Sequence, residues 1–149
     1  MNDPDRENRL YRMVERFYEL GRRDPLLAPV FEGAITDWPG HFRIVADFWS
    51  HAIYGTGRYE GSPYPAHMRL SFPFEAFERW LSVFAQATSE VLTPMEAEIA
   101  QARARHMTRS FQVGLFPYAG ADGTPSRRPA SGSCQHGGVC IFSAPRVGL

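Results

Sequence analysis

GTGRYEGSPYPAHMRLSF, residues 55–72, is the stretch on which the reading of this chain turns. On either side of it apolar residues recur every three or four positions. Within it Gly55, Gly57, Gly61, Pro63 and Pro65 break that pattern, because glycine and proline punctuate helices. A connection longer than about 12 to 15 residues is uncommon in a compact domain and is usually functional or disordered. Tyr59, Tyr64, His67, Met68 and Leu70 argue against disorder, so an ordered loop with at most one turn of helix around His67 is expected. The flanking aromatic-rich segments offer His67 no matching polar partner. A solitary histidine hung from a loop of such a body points to a flat apolar ligand held through a metal.

Upstream, Asp3 reads as an N-cap and Pro4 as a first-turn residue, followed by a stripe of Leu10, Val14, Phe17 and Tyr18 that should end near Gly21. Asp24 and Pro25 repeat the start signal ahead of Leu26, Leu27, Val30, Phe31 and Ile35, a short helical stretch expected to be mostly buried. Asp37 then caps a helix with Trp38, Phe42, Val45, Phe48, Trp49 and Ala52 on one face and His41 at its edge. Downstream, Pro73 is expected to start a helix carrying Phe74, Phe77, Trp80, Leu81, Phe84, Thr88 and Val91. Thr93 and Glu96 in TPME match a capping box, with Pro94 in the first helical position. Met95, Ile99, Ala102, Met107, Phe111 and Leu115 should form the buried stripe of that last helix. Such a binary pattern without strands gives an all-α fold, which bundles and globin-like packings both satisfy. Helices in a simple bundle are joined by short turns of about 2 to 8 residues, so the long loop favours the globin-like packing.

The 149 residues fit one domain. Sixteen basic residues, all arginine, balance sixteen acidic ones, which argues against a nucleic-acid footprint. No apolar run approaches the ~20 residues of a membrane span, and the charged start lacks the apolar stretch of a signal peptide. A cytoplasmic protein is expected. Cys134 and Cys140 are the only cysteines, so residues 1–119 are expected to form the domain without a disulfide. Residues 120–149, rich in Gly, Ser, Pro and Arg, are expected to be a disordered tail. In that tail CQHGGVC brings Cys134, His136 and Cys140 together, a weak zinc or redox signal without a fourth ligand.

Five blocks then occur in order: RFYE at 16–19, RRDPLLAPVFE at 22–32, DW followed by His41 and DFW at 37–49, Y.G.P...H at 59–67, and FERWL at 77–81. Together they resemble the truncated haemoglobins, and among them the third group, from about Leu10 to Tyr118. The resemblance implies a truncated globin-like fold, a 2-on-2 helical sandwich with a long loop ahead of the proximal ligand, and haem b as cofactor. It implies that His67 is the proximal iron ligand. Tyr18, His41 and Trp80 would stand on the distal side, and Phe31, Phe42, Val45 and Phe48 would wall the cavity. Arg58 and Arg69 flank the ligand loop as candidate propionate partners.

The function implied is binding of dioxygen, nitric oxide or carbon monoxide at histidine-ligated iron. Nitric oxide detoxification with electrons from a separate reductase, and peroxidase-like oxidoreduction, are the enzymatic readings of the same site. A haemless helical interaction module is the reading that dispenses with it.

Overall fold

The computed structural model describes residues 3–68 and 70–127. Helix α1 (Pro4–Gly21) starts where Asp3 accepts a hydrogen bond from the Asp5 amide at 3.0 Å. Its inner face buries Leu10, Met13, Val14, Phe17 and Tyr18. The Asp24 side chain accepts from the amides of Leu26 and Leu27 and leads into α2 (Ala28–Ala34). Helix α3 (Trp38–Tyr54) is capped by Asp37, which accepts from Gly40 N at 3.1 Å. The short α4 (Tyr64–Met68) lies inside the irregular stretch and carries His67.

Helix α5 (Ala76–Val91) precedes α6 (Pro94–Leu115). At the start of α6 the capping box closes both ways, with Thr93 Oγ1 accepting from Glu96 N and Glu96 Oε1 accepting from Thr93 N. Two short antiparallel strands, β1 (Tyr118–Ala119) and β2 (Pro125–Ser126), follow, with Tyr118 opposite Ser126.

The long helices close a ring: α1 packs on α5 and α3, α5 on α6, and α3 on α6. This is the two-on-two arrangement. Its core holds Leu10, Met13, Phe17, Trp49, Phe84 and Ala100. Phe84 is 1% exposed and stacked between Trp49, at 4.6 Å, and Trp80, at 5.0 Å; truncating such a ring to alanine costs about 3 to 5 kcal/mol. A smaller cluster of Phe77, Phe111 and Leu115, backed by Tyr64, Phe72 and Phe116, sits beside α4.

At the opposite end a buried ion pair ties α1 to α6. Arg9 donates to both Glu96 oxygens, at 2.7 and 2.8 Å, and the Tyr54 hydroxyl of α3 donates to the same carboxylate. Burial alone would raise the Glu96 carboxyl, but the hydrogen bonds from Arg9, Tyr54 and Thr93 outweigh it and hold the pKa at about 2.

Two expectations are corrected. The buried stripe of α6 is Ala97, Ala100, Ala104, Thr108, Phe111 and Leu115, while Met95 is 57% exposed, Ile99 is 37% exposed and Ala102 also faces outward. Small side chains let the α6 backbone approach its neighbours, and that closeness outweighs the hydrophobicity of Met and Ile. The stretch around α2 is buried much as its pattern predicts: Leu27 and Phe31 enter the core, and Leu26, Val30 and Ile35 are half-buried beside them. Helix α5 begins at Ala76 rather than Pro73: the amides of Ala76 and Phe77 bond to the carbonyls of Pro73 and Phe74, the tighter three-residue spacing of a turn.

Candidate functional site

Histidine 67 sits one turn into α4, half-buried, with its Nδ1 2.8 Å from the Pro63 carbonyl. A carbonyl only accepts, so Nδ1 carries the proton. Burial pushes the imidazole pKa below 6.5, against a smaller upward pull from that bond, so the ring is neutral near pH 7. Its Nε2 therefore presents a lone pair, and the side-chain hydrogen bond of His67 among the described residues is made by Nδ1. A five-residue helix does not hold itself together in water. Two contacts with α6 position this one. The His67 ring packs on Phe111 at 4.8 Å, and Tyr64 lies across Gly114, where a Cβ would fall 2.4 Å from the tyrosine oxygen.

Tyr18 and His41 come from different helices and meet directly, with Tyr18 Oη 2.7 Å from His41 Nε2. Burial raises the Tyr18 pKa, which keeps the phenol protonated. The His41 pKa is lowered, first by burial and then by the charge His67 carries when protonated. With Nε2 protonated, His41 donates to the phenol oxygen and leaves the phenolic proton free for another acceptor. With Nδ1 protonated instead, Tyr18 donates to His41. The pair thus offers one spare donor or one spare acceptor as the tautomer dictates.

Aromatic rings enclose the Tyr18 phenol. Phe42 stacks on it at 5.5 Å, and Phe31, Trp38 and Phe17 meet it edge-on at 5.1, 5.6 and 4.9 Å. Phe31 reaches this position because residue 21 is glycine: a Cβ there would lie 2.5 Å from the Phe31 ring. Along α3, Trp38, His41, Phe42, Val45 and Phe48 are all half-buried, beside the fully buried Ala46, Trp49 and Ser50. The helix therefore has two apolar faces, one sealed in the core and one half-buried.

Of the residues singled out in the sequence, Tyr18, His41, Phe31 and Phe42 share one cluster. Val45 and Phe48 continue its α3 stripe, and Phe48 turns its ring to Tyr59 at 5.2 Å. Trp80 is one ring removed: it packs edge-on against Phe17 at 5.3 Å and stacks on Phe84, and its indole N–H has no hydrogen-bond partner among the described residues. Arg58 faces Glu7 at 3.7 Å and Asp47 at 3.8 Å. Arg69 and the Cys134, His136 and Cys140 group lie outside the described residues.

Trp38, Pro63 and Phe111 were not singled out as site residues. For Pro63 the signal was available, since it stands four residues before His67 at a helical spacing. Among the described residues no helix is long and apolar enough to cross a membrane.

No family model matches the chain. A curated relative does: the group 3 truncated hemoglobin ctb of Campylobacter jejuni is 33% identical over 114 residues, which cover 73% of this chain and 90% of that protein. A crystal structure of a group III truncated hemoglobin from Campylobacter jejuni superposes with a TM-score of 0.68 at 32% identity, covering 74% of this chain and 91% of that one. The helical ring has the architecture of that structure, and sequence and fold agree: the chain belongs to the group III truncated haemoglobins.

Proposed function

We propose that this globin holds haem b through Nε2 of His67 and binds a diatomic gas on the side of the haem facing Tyr18 and His41. The observation that carries the reading is the state of His67, whose Nδ1–H is committed to the Pro63 carbonyl while Nε2 keeps a free lone pair. A backbone partner on the far nitrogen is the usual way a protein fixes the tautomer and orientation of a metal-ligating histidine. The donor set fits the group: one neutral imidazole, a half-buried apolar stripe of Phe42, Val45 and Phe48, and the hydrogen-bonded pair of Tyr18 and His41. No Cys-x-x-Cys-His run occurs in the sequence, which favours non-covalent haem b. When bound, the haem supplies an iron centre that takes dioxygen, nitric oxide or carbon monoxide. The chain's own part is to supply His67 Nε2 and to exclude water with the aromatic wall. It also presents the phenolic hydrogen of Tyr18 to the guest when His41 Nε2 donates to the phenol oxygen.

Absorption spectra of the haem-reconstituted chain, ferric, ferrous and under carbon monoxide, test the reading. The parent should take up stoichiometric haem with histidine-type bands, and the pyridine haemochrome should be that of haem b. His67→Ala should lose or alter the carbon monoxide complex, and a spectrum indifferent to His67 would sink the assignment.

A second reading, dioxygenation of nitric oxide to nitrate, in which dioxygen supplies both added oxygen atoms and a separate reductase supplies one electron, is favoured by the Tyr18 and His41 pair. Hydrogen bonds in a dry pocket slow a guest's escape, and slow release suits chemistry better than transport. Turnover of nitric oxide above that of free haemin would support it.

A further inference from the structure

Beyond Tyr118 the resemblance to the globin pattern ends, yet the chain does one more thing. The β1–β2 turn folds it back, so that Arg127 reaches the segment that follows His67. One guanidinium nitrogen donates to the Met68 carbonyl at 2.8 Å and the other donates to the Leu70 carbonyl. The guanidinium also lies 5.7 Å from the Phe72 ring and 5.8 Å from the Phe116 ring, within cation–π range of both.

This contact falls where the fold needs it. Helix α4 has five residues, and the last four carbonyls of any helix lack intrahelical partners. The His67 carbonyl is taken by Leu70 N at 3.1 Å, the last carbonyl of the helix, Met68, is taken by Arg127, and Arg127 also holds the Leu70 carbonyl just past the helix end. The upstream side of His67 is held by Pro63, and its ring by Phe111. Arg127 supplies the remaining restraint, on the downstream side, from outside the globin pattern. Its forked donors suit two carbonyls at once, which a lysine's single ammonium on a flexible stem does less well.

We infer that Arg127 is a positioning residue for the proximal histidine: the hairpin after α6 is a brace that fixes the exit of α4 and thereby the angle at which His67 meets haem iron. The inference rests on the proposed ligation by His67.

The test compares the parent, Arg127→Ala and Arg127→Lys as haem-loaded full-length proteins. Two quantities are read: the iron–histidine stretching band of the ferrous form by resonance Raman, and the rate of haem transfer to an excess of an acceptor apoglobin. In Arg127→Ala the band should shift and broaden, and haem loss should quicken roughly tenfold, the low end of what losing an outer partner of a metal ligand costs. Arg127→Lys should fall between. Hydrogen exchange of amides 64–72 in the haem-free proteins should quicken in the same order. An unchanged band and unchanged haem loss in both variants, with normal haem uptake, would overturn the brace alone. Absence of haem uptake by the parent would overturn the proposed function and the brace with it. If Arg127→Ala does not fold, Arg127→Lys decides, and a parent-like band and exchange pattern there would count against the bidentate brace.

Discussion

Arg9 and Tyr18 stand on the same helix in unlike surroundings. Around Arg9 the polar groups answer one another: the guanidinium meets a carboxylate that is 0% exposed, Tyr54 donates to that carboxylate, and Thr93 closes the cap. Around Tyr18 a single hydrogen bond to His41 is surrounded by aromatic rings, and the neighbouring stripe of α3 is half-buried. One region is complete in itself, and the other is where the proposed function seats the guest. The contrast shows how a short chain divides its duties, since a satisfied ion pair fixes helix positions, while an under-covered aromatic face gains its stability from what binds there.

Substitutions at the two places should therefore fail in different ways. Glu96→Ala leaves the Arg9 guanidinium with only the exposed Asp3 carboxylate, 3.5 Å away, and removing one member of a buried pair typically costs about 3 to 5 kcal/mol. The haem-free protein should lose that much in a urea melt, and a loss below ~1 kcal/mol would remove the idea that this end locks the fold. The same carboxyl sets an acid limit. Its folded pKa of about 2 lies below the ordinary 4.5, so its stabilisation is whole above pH 4.5 and is lost as pH falls from there toward 2.

Tyr18→Phe should spare the fold, with less than ~1 kcal/mol lost, and change the guest. Release of bound dioxygen should quicken roughly tenfold, the equivalent of one lost hydrogen bond of about 1 to 1.5 kcal/mol. Stopped-flow measurement decides, and an unchanged rate would assign the hydrogen bond to another donor.

The smallest effect sharpens the contrast in pH. Burial lowers both His41 and His67 below 6.5 in the fold, so the unfolded chain binds protons first as pH drops. Their contribution is whole above pH 6.5 and declines below it, ahead of the Glu96 window. In the haem-free protein His41→Gln should flatten the stability slope just below pH 6.5 and leave the loss below pH 4.5 untouched.

Much of this was legible in the sequence where the cause is local. Asp3, Asp37 and the Thr93–Glu96 box announce their helices because a cap is a contact within three residues. The irregular stretch around His67 was legible for the same reason. Tyr18 and His41 were named only through resemblance, since nothing in their own spacing says that α1 and α3 bring them to 2.7 Å.

The α6 face was misjudged because hydrophobicity ranks Met95 and Ile99 above alanine, whereas closeness of packing ranks them the other way. The partners of Glu96 were invisible too: Arg9 lies 87 residues away and Tyr54 lies 42 away. Arg127 escaped notice because it lies in a Gly- and Ser-rich stretch whose composition reads as a tail.

The alanines of α6 set the thickness of the molecule. Helix axes pack about 8 to 10 Å apart, nearer the lower figure when the contact is made by small side chains. Ala97, Ala100 and Ala104 are all covered, which favours a thin wall at that layer. Bulk is concentrated instead at Trp38, Phe42 and Phe48, where it stays partly open. Slender where it only supports and broad where it receives, a chain of this length can leave room for a guest without a deep interior.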